Sequence, residues 1–380
     1  MSKINVRSPY FIYFKDINLT SATLEIRIYI GAAETSWQGS PQYTLTSTAV
    51  GERITFEIAE LIKDYIPAEF NGTYPSLTSS SGDNTTIYVD YRITKYISNV
   101  AQTPVDTLGV RAFYGDGYFE EGANPQLLQG YLQSNTTILK SDDDALRIPV
   151  DNENTTSVAF FNKGEQIHTW TPSAGLKIQD QIAYVSTASA DVDNYRERVE
   201  TSGGTFEDNP CLQEFLRNET IYPVDEVIIN AVEGVTVLRV ENISECKYTP
   251  YKLTFINKFG AYQDIYFFKN SKLAMTTEKD KDKSNILNNG TYETYNAQVR
   301  LLSKNANQRL TLNSGYYPES NNEVFKQLFL SDKVWIKYDN KTLAVNIENN
   351  NIDYKTSLTD SLINYTIDVS FAFDTINNIR

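Results

Sequence analysis

One histidine, two cysteines and two methionines are all that the 380 residues hold of those types. A single imidazole cannot build a two-histidine zinc site, or a two-histidine, one-carboxylate iron site, within one chain. Cys211 and Cys246 are too few for a disulfide framework and read as small buried hydrophobes; a single bridge between them has nothing else in its favour. Positive charge is also short. Lys and Arg total 34 against 48 Asp and Glu, a net charge of −14, the opposite of what wrapping phosphates requires. No apolar run approaches the roughly 18 residues of a membrane helix. The opening M-S-K-I-N-V-R (Met1–Arg7) lacks the apolar centre of a secretory signal. A soluble protein made in a cytoplasm is expected, with no membrane partner and no specific nucleic-acid partner.

Catalytic motifs are missing too. Neither G-x-x-x-x-G-K-[ST] nor G-x-G-x-x-G occurs, and there is no G-x-S-x-G elbow. His168 lies in Q-I-H-T-W (Gln166–Trp170), whose alternation makes it a strand residue, and nothing points to a triad around it. Asp142, Asp143 and Asp144 lack the calcium-loop pattern and read as a solvated turn. Gly115-Asp-Gly117 reads as a tight turn between Phe113 and Tyr118. A glycosidase needs only two facing carboxylates, and among 48 acids the sequence does not single out a pair. No catalytic residue, cofactor or metal is therefore assigned, and the chain is expected not to be an enzyme.

What the chain does have is aromatic and aliphatic surface to bury. The hydrophobic fraction is 41%, with 26 Tyr and 18 Phe. Such residues favour strands. In T-L-E-I-R-I-Y-I (Thr23–Ile30), Leu24, Ile26, Ile28 and Ile30 share one face, the period of a half-buried antiparallel strand. Arg53–Ile58, Thr86–Ile97, Lys252–Ile256, Asp264–Lys269, Ala297–Leu302, Lys333–Tyr338, Thr342–Ile347 and Asn364–Phe373 also read as strands. Val227–Ile229 and Val235–Val240 form a hairpin around Glu233-Gly234. Asp339-Asn340, which tolerate positive φ, turn another. Helices are expected near 58–66, 210–218 and 321–330, the last opened by a capping box at Ser320 and Glu323. Lys279–Asn285 reads as a charged hairpin tip or loop.

Acidic and polar breaks near 141–156 and 244–250 divide the chain into an N-terminal β module with one helix (1–140), a middle module or connector (141–246) and a C-terminal β-sandwich module with one helix (247–380). The expected fold class is mainly β: multi-module antiparallel β-sandwich or barrel domains with a few short helices. Loop aromatics are the remaining candidates for function. Trp37 lies in a polar loop, Phe259 and Tyr262 in F-G-A-Y, and Tyr316 and Tyr317 before Pro318. Such residues either dock onto their own domain or anchor an assembly interface.

The segment F-I-N-K-F-G-A-Y-Q (Phe255–Gln263) resembles a stretch of a virion protein of tailed phages of Bacteroidetes, the crAss-like phages among them. Ser8–Tyr29 and Thr44–Ile66 resemble that family's opening. Leu328–Tyr338, Val345–Ile347 and Ile363–Phe373 resemble its end. The matches cover both ends and leave about 100–225 unmatched. The resemblance implies a structural tail part, a hub or baseplate component around the tail channel, with a tail-tube-like C-terminal module. It carries no catalytic residues. Its implied partners are copies of itself and other phage tail proteins, as a ring-forming oligomer in the virion tail after synthesis in the host cytoplasm. Strong acidity suits a conduit wall that repels DNA. The competing reading is a β-sandwich carbohydrate-binding, receptor-recognition protein or a glycosidase, which needs a shallow aromatic groove or a cleft with two carboxylates about 5–10 Å apart.

Overall fold

The computed structural model describes residues 3–31, 33–74, 85–126, 129–141, 144–172, 182–186, 224–287, 289–349, 351 and 362–376. The expected helix at 210–218, Cys211, Asp142 and Asp143 lie outside the described residues. The chain is mainly β, built from several antiparallel sheets; the described residues include two short helices, α1 (Ala59–Lys63) and α2 (Asn322–Leu330), and among them no sheet closes into a barrel. It forms two compact units. The first comprises Met1–Ser244, Thr254–Ile265 and Ser320–Ser331; the second comprises Glu245–Leu253, Tyr266–Glu319 and Asp332–Arg380.

The first unit contains a six-stranded sheet. Its main path runs Lys3–Asn5, Val105–Phe113, Thr86–Ile97, Leu19–Tyr29, Tyr43–Thr48, and the short Val100–Ala101 pairs with Thr86–Ile97. Period-two burial holds along its central strand: Leu24 and Ile26 are fully buried and Ile28 nearly so. Ile30 breaks the expectation. The strand ends at Tyr29, and Ile30 is exposed beyond it, where Gly31 takes positive φ. A five-stranded sheet follows, in the order Glu165–Trp170, Thr155–Asn162, Glu226–Ala231, Gly234–Ile243, Thr137–Ser141. Val158, Phe160, Ile229 and Leu238 from this sheet pack with Ile148 and Val150 into one cluster. Burying each such side chain is worth about 1.5–3 kcal/mol, which offsets the ordering of the strand that carries it.

Helix α1 is shorter than its i, i+3, i+4, i+7 pattern predicts. Ala59 and Ile62 are buried, while Tyr65 lies past the end and packs edge-on against Tyr43. Helix α2 buries Val324, Phe325 and Leu328, as its spacing predicts. Its capping box does not form. A 3-10 turn over Glu319–Asn321 precedes it, and Asn321 takes the cap position without a side-chain cap bond. The Asn321 carboxamide oxygen instead accepts from Asn135 at 3.0 Å, and Glu323 accepts from the Tyr118 hydroxyl at 2.6 Å. Both side chains are thus diverted to tertiary partners.

In the second unit, Val334–Tyr338, Lys341–Ile347, Thr366–Phe371, Val299–Asn313 and Lys272–Lys283 lie side by side in that order, the last at the sheet's edge. The turn between the first two carries positive φ at both Asp339 (48°) and Asn340 (60°), as expected of a two-residue hairpin loop. The charged run from Lys279 is not a tip. Lys279–Lys283 belongs to the 12-residue strand Lys272–Lys283, and the turn comes later.

Candidate assembly surface

The loop aromatics divide by burial. In the first unit, Phe259 and Tyr262 are buried, not solvent-facing. Asn257 dictates this. Its carboxamide oxygen accepts from the N–H groups of Phe259 (3.0 Å) and Ala261 (3.1 Å), and its amide donates to Leu132 O (2.7 Å) and Gln263 Oε1 (3.0 Å). The turn is thereby folded back on its own unit. The Tyr262 hydroxyl donates to Glu69 O at 2.7 Å, its N–H donates to the Tyr184 hydroxyl at 2.8 Å, and its ring centre is 4.9 Å from that of Phe70. In the second unit Tyr317 is buried as well. Its hydroxyl donates to Tyr266 O at 2.7 Å, and burial pushes its phenol up from the ordinary value. Tyr316 is 66% exposed, and Trp37, in the first unit, is half-buried beneath the Arg92 guanidinium, 4.5 Å from its ring centre. Sequence marks an aromatic as lying in a loop but not the direction in which the loop folds. Tyr262→Ala is expected to cost about 3–5 kcal/mol of stability, while Tyr316→Ala stays within about 0.5 kcal/mol of wild type. Urea titration of the two variants checks this contrast.

His168 is packed within its sheet. His168 sits in the strand Glu165–Trp170 opposite Phe160, with the two rings stacked at 5.6 Å. Cys246 is exposed, contrary to the expectation of burial; it follows the end of the strand Gly234–Ile243. Among the described residues no three His, Cys, Asp or Glu side chains converge as metal ligands. Three buried charges, Lys3, Arg111 and Asp151, pair with one another. Asp151 accepts from Arg111 Nη1 at 2.9 Å and Nη2 at 3.2 Å, from Lys3 Nζ, and from Asn154 at 3.0 Å. Burial works to raise the Asp151 carboxyl, but Arg111 and Lys3 together hold it below the ordinary value. This is a fastening for the Lys3–Asn5 strand, with no oxygen turned to solvent.

The surface that stands out is a β-arm in the second unit. The strands Lys272–Lys283 and Val299–Asn313 pair along their length. Of the strand Val299–Asn313, the neighbouring strand Thr366–Phe371 covers only Arg309–Asn313, and the segment after it reaches Ala306 and Asn305 through the N–H groups of Thr375 and Ile376. Beyond that point, among the described residues, the arm is a two-stranded ribbon. From Glu278 to Lys283 it extends about 20 Å at the usual rise. Its surface is apolar in patches. Met275, Val299 and Leu301 are more than half exposed and Leu302 is 70% exposed; Tyr292 and Tyr295, in the connection between the strands, are exposed too. An isolated ribbon of this kind is marginally stable in water. Contiguous exposed apolar patches are where binding surfaces are found. No known family matches the sequence, and no curated protein matches it either.

Proposed function

We propose that the chain is a structural, non-enzymatic component of a phage tail, a hub or baseplate part that assembles with copies of itself into a ring around the channel. The observation that carries this reading is the projecting arm, whose apolar side chains have no cover within the described part of the chain. The sequence resemblance points the same way, because F-I-N-K-F-G-A-Y-Q closes a structural turn and offers no reactive group. A net charge of −14 suits a wall along which DNA slides without binding. The partner is a second copy, and repeated head-to-tail contacts of one kind close into a ring when the rotation per copy allows it.

The test removes the arm and leaves the sheet. Glu278 and Asn305 stand opposite each other, so joining them through Asn-Gly makes a two-residue hairpin in place of residues 279–304. The shortened protein is expected to keep its melting temperature within a few degrees and to fail to enter tails when virions are produced with it. Tails of normal composition and infectivity containing the shortened chain would overturn the reading, as would saturable, specific binding of a glycan by the folded wild-type chain.

A further inference from the structure

Along the outer half of the edge strand every residue is charged and the signs alternate: Glu278, Lys279, Asp280, Lys281, Asp282, Lys283. Successive side chains of a strand point to opposite faces. Glu278, Asp280 and Asp282 therefore share one face of the arm, and Lys279, Lys281 and Lys283 share the other. The ribbon's bulge does not disturb this. Its extra residue, Leu302, lies on the partner strand, so alternation along Lys272–Lys283 runs unbroken. Opposite the three lysines stand Lys304, Leu301 and Val299, none of them a carboxylate; opposite the three acids stand Asn305, Ser303 and Arg300. The arm is thus a plate with one basic face, underlaid by apolar side chains, and one acid-bearing face.

This pattern decides how two copies can meet. Edge-to-edge pairing of identical strands in an antiparallel sheet needs a two-fold axis along the sheet normal. That axis keeps each face on its own side, so acids would stand opposite acids and lysines opposite lysines in every register. Like charges directly opposite are destabilising, and the alternation closes the free edge to antiparallel pairing with a second copy. Face-to-face contact is the reverse case. The acidic face of one arm and the basic face of the next carry charges at the same two-residue spacing and complement each other.

We propose that the arms of successive copies stack face to face, the Glu278–Asp280–Asp282 face of one copy on the Lys279–Lys281–Lys283 face of the next. Each arm then has one face of each kind to offer, so the contact is head-to-tail and repeats. Leu301 and Val299 stand opposite Lys281 and Lys283 on this face and are more than half exposed, so stacking also removes apolar surface from water. This inference rests on the copy-to-copy assembly proposed above and specifies its geometry.

Two variants test it. Lys279→Glu/Lys281→Glu/Lys283→Glu makes both faces acidic, and Glu278→Lys/Asp280→Lys/Asp282→Lys makes both basic. Sedimentation velocity of the full chain at low ionic strength reads self-association. The wild type is expected to associate and to weaken as salt rises, since exposed pairs are screened within about 10 Å at 0.1 M. Each variant alone is expected to associate at least about ten-fold more weakly, and an equimolar mixture to return to within about three-fold of wild type. Unchanged melting temperatures show that both variants fold, because the substituted side chains are exposed. Three results overturn the stacking: a variant that associates as wild type does, a mixture no stronger than either variant alone, or a wild type that stays monomeric while floating with phosphatidylserine vesicles. Scoring the same variants in virions separates the two proposals. Variants that enter tails normally end the stacking alone, whereas entry of the arm-less chain ends the assembly reading itself.

Discussion

Asp151→Ala is expected to be the most destabilising single substitution in the first unit's charge cluster, at about 3–5 kcal/mol. The carboxylate is fully buried, and so, nearly, are the two cations it holds, Lys3 and Arg111. Arg111 keeps a second partner, Glu153, at 2.7 Å, but that side chain is 43% exposed, and Lys3 loses its ion pair with Asp151. Removing Asp151 therefore leaves Lys3 in a site where burial already lowers its pKa. The strand Lys3–Asn5 is held to Val105–Phe113 by only three residue pairs, so its attachment depends on this cluster. Urea titration at neutral pH measures the loss. A change below about 1 kcal/mol would show that the cluster is decoration.

The same residue sets an acid limb. Its folded pKa lies below its unfolded value, which is about 3.9. Between the two values the unfolded chain binds more protons than the folded one, so stability rises with pH there. The contribution is complete above about pH 4 to 5 and is lost as pH falls through the folded value. In Asp151→Ala that acid-dependent part disappears, and the variant's stability changes less between pH 5 and pH 2 than the wild type's does.

The fold was legible where side chains alternate cleanly. Thr86–Ile97 is a strand over that span, and the Asp339-Asn340 turn lies where its backbone preference places it; the other hairpin turns one residue earlier than expected, at Val232-Glu233, with Gly234 opening the second strand opposite Ala231. The arm was legible only in part. Lys272–Lys283 buries none of its side chains, so it has no apolar face to give a period of two, and its charged end reads as a solvated tip or loop. On the partner strand Ala297–Leu302 reads as a strand and Val299–Leu302 is one, but the continuation Ser303–Gln308, rich in Ser, Asn and Lys, gives no such signal. The surface proposed for assembly is therefore the part of the second unit whose strand pattern is charge rather than hydrophobicity. The interface candidates failed in the opposite direction: Phe259, Tyr262 and Tyr317 were singled out for being aromatic and in loops, and their burial depends on hydrogen bonds made by Asn257 and on contacts remote in sequence.

Asn257→Ala and Gly115→Ala are each expected to cost about 2–4 kcal/mol, and the double variant less than the two losses combined. Asn257 is fully buried and serves four partners. Its truncation strands two N–H groups and a carbonyl away from water, and an unsatisfied buried group costs about 1–3 kcal/mol. Gly115 meets the same turn from the other side. A Cβ there would lie 2.5 Å from Lys258 O, a backbone atom that cannot rotate away, and the Asp116 N–H donates to that oxygen at 2.8 Å. Across the contact Gly260 takes φ of +78°, and a Cβ on it would lie 3.0 Å from the backbone nitrogens of Tyr114 and Gly115. The two chain segments thus approach backbone to backbone, and either substitution loosens the turn. Once one has loosened it, the second has less left to break, so the shared element predicts a positive coupling of about 1–2 kcal/mol in a double-mutant cycle. Strict additivity would mean that Asn257 and Gly115 support different structures, and that Phe255–Gln263 is not a single closed turn.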